Sequence, residues 1–287
     1  MVDLLHPPAE NACSSLQETI RQGGFSVKKL TAILGLALLG AASVATAALP
    51  FSDSFGSTGP NVAWSDADTF SGGVLTTVAT HTDHRSVTIN PPPGNTDGFF
   101  ARLQAVTTAA GTRWFLAGAL TDTDTDYTVQ TKVYGPLVNA PNGDPDAYWY
   151  QGLIFYRYAD GYGRVHLHLN SNTTELPNGP RIRVQTTAGG FNTPLVLQSN
   201  STPAFTGTEG WYTLRIALTQ RDFTLTVTPP SGSPIVATGT LSANHSPIGT
   251  FGIFSYQDGA ADRSSYFDDF SAIATSTADV SDWMAYE

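Results

Sequence analysis

Residues 151–169, Gln-Gly-Leu-Ile-Phe-Tyr-Arg-Tyr-Ala-Asp-Gly-Tyr-Gly-Arg-Val-His-Leu-His-Leu, constrain the fold of this 287-residue chain more than any other stretch. Two runs of alternating residues flank Ala159-Asp-Gly-Tyr-Gly163, a turn rich in Gly and Asp. Alternate strand residues point to opposite faces, and Gly and Asp accept turn conformations, so the pattern predicts a β-hairpin. Similar strand signals mark Gly73–Ala79, Thr128–Tyr134, Arg181–Thr186, Pro194–Gln198, Thr224–Thr228 and Ile235–Thr238. Gly and Pro clusters at 91–94, 140–145 and 229–234 punctuate them. Beyond residues 27–47 no segment carries a helical period. Many strands without intervening helices predict stacked antiparallel sheets.

The alternation also assigns faces. In the second hairpin strand Val165, Leu167 and Leu169 share one face, and Arg164, His166 and His168 the other. Ile182 and Val184 go with the apolar set, leaving Arg181 and Arg183 outward. With Leu153 and Phe155 as core, Tyr156 and Tyr158 join the outward set, and with Tyr212, Leu214 and Ile216 as core, Arg215 does too. The expectation is one sheet face presenting Tyr156, Tyr158, Arg164, His166, His168, Arg181, Arg183 and Arg215. Guanidinium groups pair bidentately with carboxylate or sulfate, and tyrosine rings stack on sugar faces, so the candidate ligand is an anionic glycan. The competing reading is a solvated or loop-covered face whose arginines pair with neighbouring Asp. Tyr148 and Trp149 are further stacking candidates, although Trp149 is equally in phase with the core residues Leu153 and Phe155.

Three more segments follow: Gly210-Trp-Tyr-Thr-Leu-Arg-Ile-Ala-Leu218, Gly249-Thr-Phe-Gly-Ile-Phe-Ser255 and Tyr266-Phe-Asp-Asp-Phe-Ser-Ala-Ile273. Taken with Gly152-Leu-Ile-Phe-Tyr-Arg157, this order resembles the concanavalin A-like (laminin-G-like) domains of secreted bacterial proteins, between Phe51 and Ala274. The resemblance implies an all-β fold, a two-sheet antiparallel jelly-roll sandwich, with the strands at Phe51–Phe55 and Phe267–Phe270 paired. It also implies a structural Ca²⁺ where the chain ends meet, with Asp53 and Asp269 as ligands. The alternative is an Asp that caps neighbouring backbone amides. Function does not follow, because the same sandwich carries lectins, lyases, hydrolases and inert modules.

Catalytic patterns are sparse. The Glu-x-Asp-x-x-Glu strand of sandwich glucanases is absent, and after residue 47 the only glutamates are Glu175, Glu209 and Glu287. The Gln-Ile-His and Lys-containing Tyr-rich strands of lyases on this sandwich are absent as well. His81-Thr-Asp-His84 has a spacing at which two imidazoles can share a zinc, but no third ligand is evident. Asp122-Thr-Asp-Thr-Asp126 starts like an EF-hand loop, yet Tyr127 and Val133 stand where Gly and Glu are required. Asn142, Asp144 and Asp146 form a looser oxygen-rich loop.

The front of the chain points to export. Val27–Ala47 has a basic start, an apolar run and small residues at Ala45 and Ala47, as a signal peptide cleaved before Ala48 does. Residues 1–26 are expected to be an untranslated or disordered extension, with Val27 as the start codon's residue. Residues 48–274 then form the sandwich and 275–287 a tail. Cleavage also removes Cys13, the only cysteine, and leaves Lys132 as the only lysine. The chain carries a net charge of −10, which argues against nucleic acid as a partner. The sequence reading is a secreted, extracellular or cell-surface, non-catalytic lectin-like sandwich that binds polysaccharide and is not inserted in a membrane after cleavage. The alternatives are a self-assembling surface or matrix protein, and a lyase or hydrolase with an unrecognised site.

Overall fold

The computed structural model describes residues 49–275, apart from 62, 67–72, 84–85, 106–110, 121–123, 136–148, 159–160, 169–179, 188–190, 243–248 and 258–263. The expected signal peptide, the C-terminal tail, His84 and the Asn142–Asp146 loop lie outside these residues.

The described chain is built of strands β1 (Phe51–Asp53), β2 (Ser65–Asp66), β3 (Gly73–Val78), β4 (His81–Thr82), β5 (Thr88–Ile89), β6 (Phe100–Ala105), β7 (Gly111–Leu120) and β8 (Asp126–Gly135). They continue with β9 (Trp149–Tyr158), β10 (Gly161–His168), β11 (Arg181–Thr187), β12 (Phe191–Leu197), β13 (Gly210–Thr219), β14 (Asp222–Thr228), β15 (Ile235–Thr240), β16 (Gly249–Gln257) and β17 (Ser264–Ala274). One sheet runs β15-β14-β13-β8-β17-β6-β3, with β1 added on β17, and the other runs β12-β11-β10-β9-β16-β7-β2. The pairings are antiparallel throughout. This is an all-β two-sheet sandwich. The first strand pairs with the last as expected, Phe51 opposite Ala272.

Alternation builds the core between the sheets. Tyr212, Leu214, Ile216 and Leu218 of β13 pack with Val129 and Val133 of β8 from one sheet, and with Leu153, Val165, Leu167, Ile182, Val184 and Ile253 from the other. Each such side chain contributes about 1.5–3 kcal/mol on burial, which is what turns a period of two into a sheet-on-sheet fold.

β6 and β7 had no clear signature. In β7 one inward position is a cation: Arg113 is fully buried, level with Ser255 of β16 and Gln151 of β9, while Phe115 and Ala117 of the same phase join the core. The Gln151 side-chain amide donates to the carbonyl of Tyr134, and the Ser255 and Ser265 hydroxyls lie 2.6 Å apart. One end of the sandwich interior is therefore polar, and a buried arginine at an inward position breaks the apolar alternation there.

The outer surface of the first sheet is partly covered at one end. Ile89, Phe100 and Tyr266 form a small separate cluster there with Val87, Tyr134 and Trp211, and the Trp211 indole N–H donates to the carbonyl of Asn90 at 2.8 Å.

Candidate ligand-binding face

The outward side of the second sheet carries the chemistry. Cross-strand register aligns Arg181, His168, Tyr150, Tyr256 and Thr112 in one row across β11, β10, β9, β16 and β7. The next row is Arg183, His166, Gly152, Phe254 and Trp114, and the third is Gln185, Arg164, Ile154, Gly252 and Leu116. No position of these rows is a carboxylate.

The two glycines in the rows mark where strands close up. A Cβ on Gly152 would stand 2.0 Å from the carbonyl oxygen of Val165, and one on Gly252 the same distance from that of Phe115. Neither position admits a side chain.

Arg164 is the centre of the face and is 4% exposed. Its guanidinium carbon lies 4.6 Å from the ring centre of Tyr162, 4.9 Å from Phe254, 5.0 Å from Tyr150 and 5.7 Å from Trp114. Nη2 and Nε donate to Gln185 Oε1 at 2.7 and 3.2 Å. Aromatic faces carry negative potential, so a desolvated guanidinium among four rings and an amide oxygen is electrostatically satisfied. Arg164 is thus a packing element that fixes the surrounding rings.

Around this centre the partly exposed side chains include Tyr150, Tyr162, Tyr256, Arg157, Arg181 and Arg183, with Thr112 and Leu116 at the β7 side. Tyr150 stacks on Tyr256 at 4.6 Å with an interplanar angle of 3°, and on His168 at 4.8 Å and 29°. Arg157 caps Trp114, its guanidinium carbon 4.7 Å from the ring.

His166 and His168 are buried side by side, ring centroids 4.7 Å apart. Burial pushes the His166 imidazole well below the ordinary histidine range, and His168, Arg164, Arg183 and Arg181 push it further. Burial and then Arg181, Arg183 and Arg164 do the same to His168. Both rings are neutral at neutral pH, so each offers one N–H donor and one acceptor nitrogen.

The structure brings together Arg164, His166, His168, Arg181 and Arg183 as expected from the alternation. It moves two others. Tyr156 is fully buried in the core, not on the outward face. The register shifts between Gly163 and Arg164, so β9 carries an extra residue and both Phe155 and Tyr156 turn inward. Gly163 permits this, since a Cβ there would stand 2.3 Å from the Tyr156 ring and 2.4 Å from that of Phe155. Arg215 belongs to β13 of the other sheet, paired with Gln130 and Thr226, and is outward on the opposite side of the sandwich. The side chains of Tyr158 and Trp149 lie outside the described set, as does Tyr148. Sequence reading missed Trp114, Tyr150, Tyr162, Phe254, Tyr256 and Arg157. The available signal was the run Phe251–Tyr256, in which the second phase, Phe254 and Tyr256, is as aromatic as the first.

The expected calcium pair is engaged elsewhere. Asp53 Oδ1 accepts the backbone N–H of Phe55 at 2.7 Å, and Oδ2 accepts those of Asn61 at 2.7 Å and of the Trp64 indole at 2.6 Å. Asp269 Oδ2 pairs with Lys132 Nζ at 2.6 Å. Asp53 thus caps N–H groups, as in the capping alternative, while Asp269 is paired with a lysine. His81 Nδ1 lies 2.9 Å from the Tyr266 hydroxyl. Among the described residues no group of three or more His, Cys, Asp or Glu is placed to hold a metal ion.

No protein-family model matches the chain, and no curated protein matches it in sequence. Solved structures do resemble it in shape. A carbohydrate binding module, CBM66 from Bacillus subtilis, is 9% identical with a TM-score of 0.42, covering 74% of this chain and 95% of that one. The GH43 protein BlXynB from Bacillus licheniformis is 14% identical with a TM-score of 0.46, over 78% of this chain and 39% of that one, so this chain spans well under half of it. A legume lectin-like domain from Entamoeba histolytica is 8% identical with a TM-score of 0.40, covering 62% of this chain and 84% of that one.

Proposed function

We propose that the chain is a secreted, non-catalytic carbohydrate-binding module of the concanavalin A-like type, and that the outward face of the second sheet holds an acidic extracellular polysaccharide. The observation that supports this reading is the composition of the rim. The partly exposed side chains Tyr150, Tyr162, Tyr256, Arg157, Arg181 and Arg183 surround a buried, interlocked centre. Rigid aromatic rings give sugar faces a stacking surface at small entropic cost, and guanidinium groups select carboxylate or sulfate substituents. On a chain of net charge −10, a row set without carboxylates is a surface that an anionic polymer approaches with little repulsion from its own described positions.

Binding is favoured over turnover because the buried Arg164 is committed to its ring cage and Gln185. The test is a glycan array probed with the full chain, in the presence and absence of EDTA. Signal on uronate-containing or sulfated glycans supports the reading, and loss of signal with EDTA would restore a calcium requirement. A blank array, with polymerisation of the purified protein on concentration, would favour a self-assembling surface protein.

A further inference from the structure

We propose that the square formed by His166, His168, Arg181 and Arg183 is an anion subsite that takes up protons as it takes up its ligand group, a carboxylate or sulfate of an acidic sugar. This inference rests on the polysaccharide reading above and deepens it.

The four residues are cross-strand partners, His166 with Arg183 and His168 with Arg181, on adjacent strands and one face. Both nitrogens of His166 and Nε2 of His168 are buried and meet no protein hydrogen-bond partner. A buried polar atom left in this state carries a standing penalty, and a ligand oxygen that accepts from these rings removes it. Every element packed against the pair contributes to its environment. Arg164 faces it from β10, Arg181 and Arg183 from β11, Tyr150 from β9, and Phe254 and Tyr256 from β16. Among the described residues, the charged groups that shift these imidazoles are arginines.

Without an anion, burial and these guanidinium groups hold both imidazoles neutral. An oxyanion seated against Arg181 and Arg183 reverses the sign of the local field. It favours the protonated rings, which donate from both nitrogens and become additional charge-assisted partners. Binding and protonation are then linked reciprocally, so affinity rises as pH falls. Each histidine offers one N–H donor at neutral pH and becomes a cationic ligand in acid.

The experiment is titration calorimetry of the full chain with oligogalacturonate and with a sulfated dextran oligomer. It is run at about pH 5.5 and about pH 7.5, in two buffers of different ionisation heat. The sulfate arm keeps its charge across this range, so any pH dependence belongs to the protein. The expected result is binding at least about tenfold tighter at the lower pH, with net proton uptake in both arms if both oxyanions seat, or in one arm if one does. The His166→Gln/His168→Gln double variant should lose both the pH dependence of binding and the net proton uptake, whatever its affinity at neutral pH. Should that variant fail to fold, histidine ring carbon shifts of the wild type, titrated with and without the oligomer, decide the same question by showing raised midpoints in the complex. Tight binding without proton uptake overturns the inference and leaves the polysaccharide reading standing. No binding of either oligomer at either pH overturns both.

Discussion

The rings of Tyr150 and Tyr256, Cα partners across β9 and β16, lie parallel to within 3° at 4.6 Å between centroids. His168 stacks on Tyr150 as well, so one tyrosine couples the aromatic part of the face to the histidine–arginine part. Tyr150→Ala is expected to weaken polysaccharide binding about tenfold and to reduce stability by about 1–3 kcal/mol. Tyr150→Phe keeps the stack and should stay close to wild type in both. Affinity electrophoresis and calorimetric melting measure the two effects separately.

Arg164 is expected to matter for stability through geometry rather than charge. Its planar guanidinium contacts four rings and places two N–H groups on Gln185 Oε1. A lysine ammonium is compact and strongly hydrated and cannot reproduce that fork. Arg164→Lys should therefore destabilise by about 1–3 kcal/mol, nearly as much as Arg164→Met. Full stability in the lysine variant would show that only the charge is needed.

Two buried groups give opposite pH trends. Burial raises the Asp268 carboxyl from 3.8 to about 7, against the hydrogen bond from Asn95 and with help from Asp269. Its contribution to stability is complete below 3.8 and is lost as pH rises to about 7. His166 and His168 are depressed below 6.5, so their contribution is complete above that value and is lost as pH falls through the depressed range. Asp268→Asn should raise the melting temperature at pH 7–8 by a few degrees and do so less in mild acid. Replacing both histidines with Gln should flatten the acid side of the profile instead.

Asp53 serves as a backbone cap, so its role should not depend on a cation. Asp53→Ala removes acceptors for three N–H groups and is expected to destabilise by about 1–3 kcal/mol. The same loss should appear with excess calcium and with EDTA. A loss seen only with calcium present would show that a cation uses this carboxylate.

The sandwich was legible because its inward positions are apolar with a period of two, as in β8, β10, β11 and β13. Five members of the candidate face, Arg164, His166, His168, Arg181 and Arg183, followed from the same rule. Tyr156 did not, because a period counted through a bulge inverts after it, and only the glycine at 163, read as a turn residue, hinted at the extra residue opposite. Arg215 failed for another reason. Alternation tells which side of its own sheet a residue occupies, not which of two sheets holds the strand, and β13 pairs with β8 and β14. The aromatic rows of β7 and β16 stayed hidden because both phases of those strands are bulky, so neither phase reads as outward.

That misplaced arginine supplies the control for the central claim. Arg181, Arg183 and Arg215 carry the same charge, but only the first two stand on the proposed face. The decisive measurement is retardation of the full chain in gels containing polygalacturonate or dextran sulfate, comparing wild type, Arg181→Ala/Arg183→Ala and Arg215→Ala. Binding at the second sheet predicts retardation of wild type and Arg215→Ala in at least one polymer, and about tenfold or greater loss in the double variant. Equal retardation of all three proteins, or loss in Arg215→Ala alone, would contradict it.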